Sequence, residues 1–141
     1  MTTNSEIARA HTPIRWMQIG FYAISIVFNF CLIAQLLTVG LAYFNNPAWW
    51  VIHVWLVRGY GGLSLILLGW SFIAPFSRRI RELAASLPVL LGLQFSSIHL
   101  KSLHLEVLHP LIGFALFYVS SSLLHWAWRI LSPSNHQNNR V

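Results

Sequence analysis

Four mostly apolar runs dominate this chain and leave few folds open to it. A bilayer core of about 30 Å takes roughly 20 helical residues to cross. Runs of that kind lie at 19–43, 50–76, 83–98 (extendable to Leu103) and 107–130. Asn45, Asn46 and Pro47 separate the first two, and Ser77, Arg78 and Arg79 the second and third. The third run is the weakest. It carries Pro88 in its first turns, where a missing amide is tolerated best. Pro110, near the start of the fourth, suits a first helical turn. Of 141 residues, 56% are hydrophobic and 9% charged. Soluble domains carry about 25% charged residues, so this chain lacks the material for a water-facing surface.

The expected fold is an all-α integral membrane protein: an up-and-down antiparallel four-helix transmembrane bundle over 19–130. A cytoplasmic N-terminal segment, 1–18, and a polar cytoplasmic tail, 131–141, flank it. The first run is too long for a signal peptide and lacks a cleavage site before a polar chain, so it reads as a retained span. No repeat of 20–50 residues is evident.

The distribution of positive charge sets an orientation. Arg9, Arg15, Arg78, Arg79, Arg81, Arg129 and Arg140 fall on one side of such a bundle, and Lys101 alone on the other. The positive-inside rule then places both termini in the cytoplasm. Tyr43, Phe44, Trp49 and Trp50 would mark the outer interface, and Trp126 and Trp128 the inner one, as aromatic belts do. The net charge of +6 is dispersed over helix ends with no long basic run, which argues against nucleic acid and for contact with anionic lipid. A single cysteine, Cys31, allows no intramolecular disulfide.

Histidine is distributed the opposite way. His53, His99, His104 and His109 all come near the outer face. His53 lies about one turn inside the second run and His109 at a similar depth in the fourth, so the two imidazoles share a level. Helical periodicity places Tyr60, Ser64 and Ser71 on the stripe of His53, and Gly113, Leu116 and Ser120 on that of His109. Small and hydroxylated residues on membrane helices face other helices. Two facing imidazoles could hold a haem b iron between them, with Arg58 available to a propionate, Tyr60 on the wall and Gly113 leaving room for a flat ring. The alternatives for Arg58 are a pair with Glu106 or a lipid contact, since an intramembrane Arg has a partner as a rule. His53, His109, His99 and His104 together could instead bind copper or zinc. Buried histidines that bridge helices without any cofactor are the third reading. Gln35 and Gln94 are polar groups in hydrocarbon, to be satisfied by bonds between helices. His125 sits beside Trp126 and Arg129 as an interfacial anchor.

The run Leu108-His109-Pro110-Leu111-Ile112-Gly113, preceded by a Leu-rich span with Gln94, resembles the last two helices of a bacterial family of small four-helix membrane proteins of unknown function. The second helix of that family commonly begins with a His followed by a Gly-containing apolar run. His53 with Gly59-Tyr60-Gly61 is similar, at a longer separation. More distantly, the chain is similar to b-type membrane cytochromes. Those carry four His for two haems, and the inner pair is lacking here, so the resemblance implies one haem at most.

Three functions follow as expectations. One is electron transfer through a single bis-His haem, between a quinol and an outer-side acceptor. Another is a non-catalytic subunit or assembly factor docking onto a larger membrane complex. The third is outer-side copper or zinc binding. There is no Asp and only three Glu, so no hydrolase or transferase constellation can be built.

Overall fold

The computed structural model describes residues 4–100 and 104–132, with side chains from residue 14 onward. Lys101, Leu103, Arg140 and the tail beyond Ser132 lie outside the described residues. The described chain is all-helical: α1 (Asn4–Phe44), α2 (Trp49–Ile73), α3 (Arg78–His99), a 3-10 turn (Leu105–Leu108) and α4 (His109–Leu131). α1 and α3 each pack against both α2 and α4. Three segments are long and apolar enough to cross a membrane: Ile14–Phe44, Trp49–Ile73 and Leu105–Leu131. α3 does not reach that threshold, because Arg78, Arg79, Arg81 and Glu82 occupy its first turns.

Several boundaries differ from the sequence expectation, each for a local reason. α2 stops at Ile73 rather than Phe76, because Pro75 forces the preceding residue out of the helical region; Ala74 is extended at φ −90°, ψ 155°. Phe76 then turns inward onto the Phe21 ring, centroids 4.5 Å apart. α3 begins at Arg78, earlier than expected. Pro88 therefore falls in mid-helix, and the Ala84 carbonyl loses its amide donor. Pro110 does occupy the first turn of α4. Between α1 and α2, the Asn46 side chain accepts the Ala48 amide at 2.9 Å and closes the turn.

The core is a stack of apolar side chains on the inward stripes: Phe21, Phe28 and Leu32 from α1, Tyr60 and Leu67 from α2, Ile80, Leu87 and Leu91 from α3, and Leu116 and Leu123 from α4. One polar link crosses it. Asn29 donates to Ser120 at 3.1 Å and to Ser121 at 3.0 Å, joining α1 to α4.

The buried positions repeat. On α2 they are Tyr60, Ser64, Leu67 and Ser71; on α4 they are Leu116, Ser120, Leu123 and Ala127, the same pattern at one constant offset. On α1, Phe21, Ser25, Phe28 and Leu32 are matched by Ile80, Ala84, Leu87 and Leu91 on α3, again at one offset. The described residues thus form two similar helical hairpins, α1–α2 and α3–α4, although the same burial spacing also relates α1 to α2. The offsets exceed 50 residues, outside the 20–50-residue range in which no repeat was expected, and the hairpins share a packing register more than residue identity.

Candidate functional site

The repeat brings matching polar groups to the start of α2 and the start of α4. In the first hairpin, Gln35 on α1 places its amide nitrogen 2.9 Å from His53 Nε2 and 3.0 Å from the His53 carbonyl. One turn on, the Thr38 hydroxyl donates to the Gln35 carbonyl at 2.7 Å and stands 3.1 Å from His53 Nδ1. The second hairpin repeats this. Gln94 Nε2 is 3.0 Å from His109 Nε2, and the Ser97 hydroxyl donates to the Gln94 carbonyl at 2.8 Å and lies 3.1 Å from His109 Nδ1. Each Nδ1 also faces its glutamine's backbone carbonyl at 3.3 Å.

With each hydroxyl hydrogen given to a carbonyl, the hydroxyl oxygen and the carbonyl face Nδ1 as acceptors, an arrangement that suits a proton on Nδ1 and a lone pair on Nε2. Both imidazoles are half-buried and oriented by the preceding helix. In each copy, the Gln35 or Gln94 Oε1 is buried and has no hydrogen-bond partner. A buried, unpaired amide oxygen is uncommon and calls for an explanation.

The other expected site residues fall elsewhere. Gly113 lies one turn below His109, where a Cβ would come within 3.4 Å of Gln94 Nε2; the missing side chain makes room for that amide. Tyr60 is buried, edge-on to Phe28 at 5.5 Å, and with Cys31 and Gly59 lines a shallow apolar groove along α1 and α2. Arg58 is exposed on a different face of α2 from His53, its guanidinium 5.5 Å over the Trp55 ring. It makes no bond to Glu106, which instead faces His104 at 3.6 Å. His104 is largely exposed, in the left-handed region at φ 49°. The exposed His99 directs Nδ1 at the Phe95 carbonyl, 2.8 Å away. Among the described residues, no three His, Cys, Asp or Glu side chains converge, so His99 and His104 do not complete a cluster with His53 and His109. His125 is exposed, and the neighbouring Arg129 stacks over Trp126 at 4.9 Å.

Sequence reasoning named the histidines and both glutamines but not their pairing, and it missed Thr38 and Ser97. The signal available was a Gln with a hydroxyl residue three positions later, followed by a His 15 residues on in the first copy and 12 in the second.

A family described as a family of unknown function (DUF6220) matches residues 35–99. The matched stretch opens on Gln35 and contains Thr38, His53, Gln94 and Ser97, but stops short of His109. The matched stretch takes in Gln94 and His53 with Gly59-Tyr60-Gly61, on which the resemblance partly rested, but not Leu108–Gly113. No curated protein and no solved structure matches the chain, and nothing in these comparisons supports the likeness to b-type cytochromes.

Proposed function

We propose that the chain is an integral membrane protein, an up-and-down antiparallel four-helix bundle with both termini in the cytoplasm, whose outer end seats one b-type haem between His53 and His109. Three apolar spans support the membrane placement. α3 joins them because its buried register copies that of the spanning α1. Its arginines cluster at the end that the positive-inside rule assigns to the cytoplasm.

One observation carries the haem reading: the same polar triad orients an imidazole in both hairpins. Axial ligation needs a neutral imidazole with Nδ1 held and Nε2 presenting its lone pair. Thr38 and the Gln35 carbonyl hold one Nδ1, and Ser97 and the Gln94 carbonyl hold the other. Each Nε2 meets a side-chain amide, Gln35 at 2.9 Å and Gln94 at 3.0 Å, which would give way to a bound iron. Each amide also has an unpartnered Oε1 that such a displacement would free from burial. The helix stripes below the imidazoles combine Tyr60 and Leu116 with the small residues Gly113, Ser64 and Ser120. A bound haem supplies one-electron redox chemistry. His53 and His109 would hold the iron, and Thr38 with the Gln35 carbonyl and Ser97 with the Gln94 carbonyl would orient the two imidazoles.

The test is an absorption spectrum of the protein purified in mild detergent, oxidised and dithionite-reduced. We expect b-type Soret and α bands that vanish in His53→Ala and His109→Ala and persist in His99→Ala and His104→Ala. A colourless protein from haem-replete cells overturns the reading. Stoichiometric copper or zinc in that preparation would assign the same imidazoles to metal binding instead.

A further inference from the structure

We propose that the face of α2 around Arg58 is a docking surface for a transmembrane helix of another protein, one that carries a carboxylate at the depth of Arg58. The proposal rests on the membrane placement above and is independent of haem.

Arg58 is an exposed cation whose one described partner is the Trp55 ring. Neither described carboxylate serves it: Glu82 pairs with Arg78 at 2.8 Å and Glu106 faces His104. Arg58 lies nine residues after Trp49, the first residue of α2, a depth of about 13 Å at 1.5 Å per residue. Its side chain leans toward the outer interface. A guanidinium at that depth in hydrocarbon is costly and calls for an anion.

The corresponding face of the second hairpin differs. The positions of α4 that correspond to Arg58 and Gly62 are Phe114 and Tyr118, 62% and 72% exposed. Bulky aromatics there suit acyl chains; α2 has a charge and a bare backbone at these two positions. An added Cβ at Gly59, Gly62 or Gly69 would meet nothing within 4 Å, so the fold of this chain does not require those glycines. Close approach of a second helix does.

Charge chooses the occupant. A second copy packed symmetrically through this face would bring guanidinium toward guanidinium, with no described carboxylate at their level. A lipid phosphate belongs at the bilayer surface, above Arg58. A foreign helix with an Asp or Glu meets both the charge and the open backbone.

Photocrosslinking in membranes of the native host decides between these occupants. The full chain carries p-benzoylphenylalanine at Gly62 or, for comparison, at Tyr118, and adducts are sequenced by mass spectrometry. We expect Gly62 to capture an apolar segment of another polypeptide containing Asp or Glu. That adduct should fall at least five-fold with Arg58→Leu and persist with Arg58→Lys. Arg58→Glu should abolish it, and exchanging the captured carboxylate for Arg should restore it. Tyr118 should capture lipid. Adducts from Gly62 to lipid alone, or to the chain itself, overturn the proposal, as does a polypeptide adduct indifferent to Arg58→Leu. Release of the chain by carbonate washing overturns the membrane placement, and the docking proposal with it.

Discussion

Glycine has two opposite uses in this chain, and substitution separates them. A Cβ at Gly20 would sit 2.8 Å from Trp70 Cη2 and 2.9 Å from Cζ2, closer than packed atoms approach. Gly20→Ala should destabilise the protein by about 1–3 kcal/mol, the usual cost of overpacking. Thermal unfolding in detergent measures this, and the loss should shrink in a Trp70→Leu background. Gly62→Ala meets no neighbour and should be neutral or stabilising by up to ~1 kcal/mol through helix propensity. At the polar positions, Asn29→Ala removes both bonds from α1 to α4. Bonds between membrane helices average about 0.6 kcal/mol and reach roughly 1.7, so a loss near 1 kcal/mol is expected in the same assay. His53, His109, Gln35 and Gln94 stood out in the sequence because such groups are rare in apolar runs. Thr38 and Ser97 did not, since a hydroxyl on a membrane helix can satisfy itself on its own backbone, as Ser25 does on Phe21.

At the scale of elements, periodicity and breakers revealed four helices and their order, and the inward stripes of α2 and α4 were read correctly. The ends were less legible. The run 50–76 looked continuous by hydropathy, yet Pro75 ended the helix by steric restriction on Ala74. The start of α3 was hidden because its first turns are cationic; burial against α2 and α4, which no local signal reports, holds them helical. α3 is also the element whose membrane placement has a direct test. In a Cys31→Ser background, single cysteines at Asn46 and Val107 should react with an impermeant maleimide added to intact cells. A cysteine at Arg79 should react only after permeabilisation. Labelling of the Arg79 position from outside would place α3 on the membrane surface or reverse the orientation.

For the molecule as a whole, the duplication is the feature the sequence concealed most completely. Gln35 and Gln94, His53 and His109, Ser64 and Ser120, and Leu67 and Leu123 are identical pairs. Leu32 and Leu91 are also identical, and the other matched core positions exchange Phe for Ile or Leu, Tyr for Leu, and Ser for Ala. The exposed faces have diverged further, and the segment joining hydroxyl to His is three residues shorter in the second copy. Packing tolerates such exchanges when total volume is kept, so register outlasts identity. Each hairpin also packs against the other, α1 on α4 and α2 on α3. Residues 1–75 and 76–141, expressed as separate chains in one cell, should therefore assemble and co-purify through a tag on either one. Halves that purify only alone would show that the covalent link is indispensable.

The halves of the proposed bundle are related by a pseudo-two-fold rotation about the membrane normal. A planar guest on that axis would find matching flanks whichever way round it entered. Two seatings of nearly equal population should follow, visible as doubled NMR resonances from its peripheral methyl groups. Enlarging Gly113 alone should unbalance them.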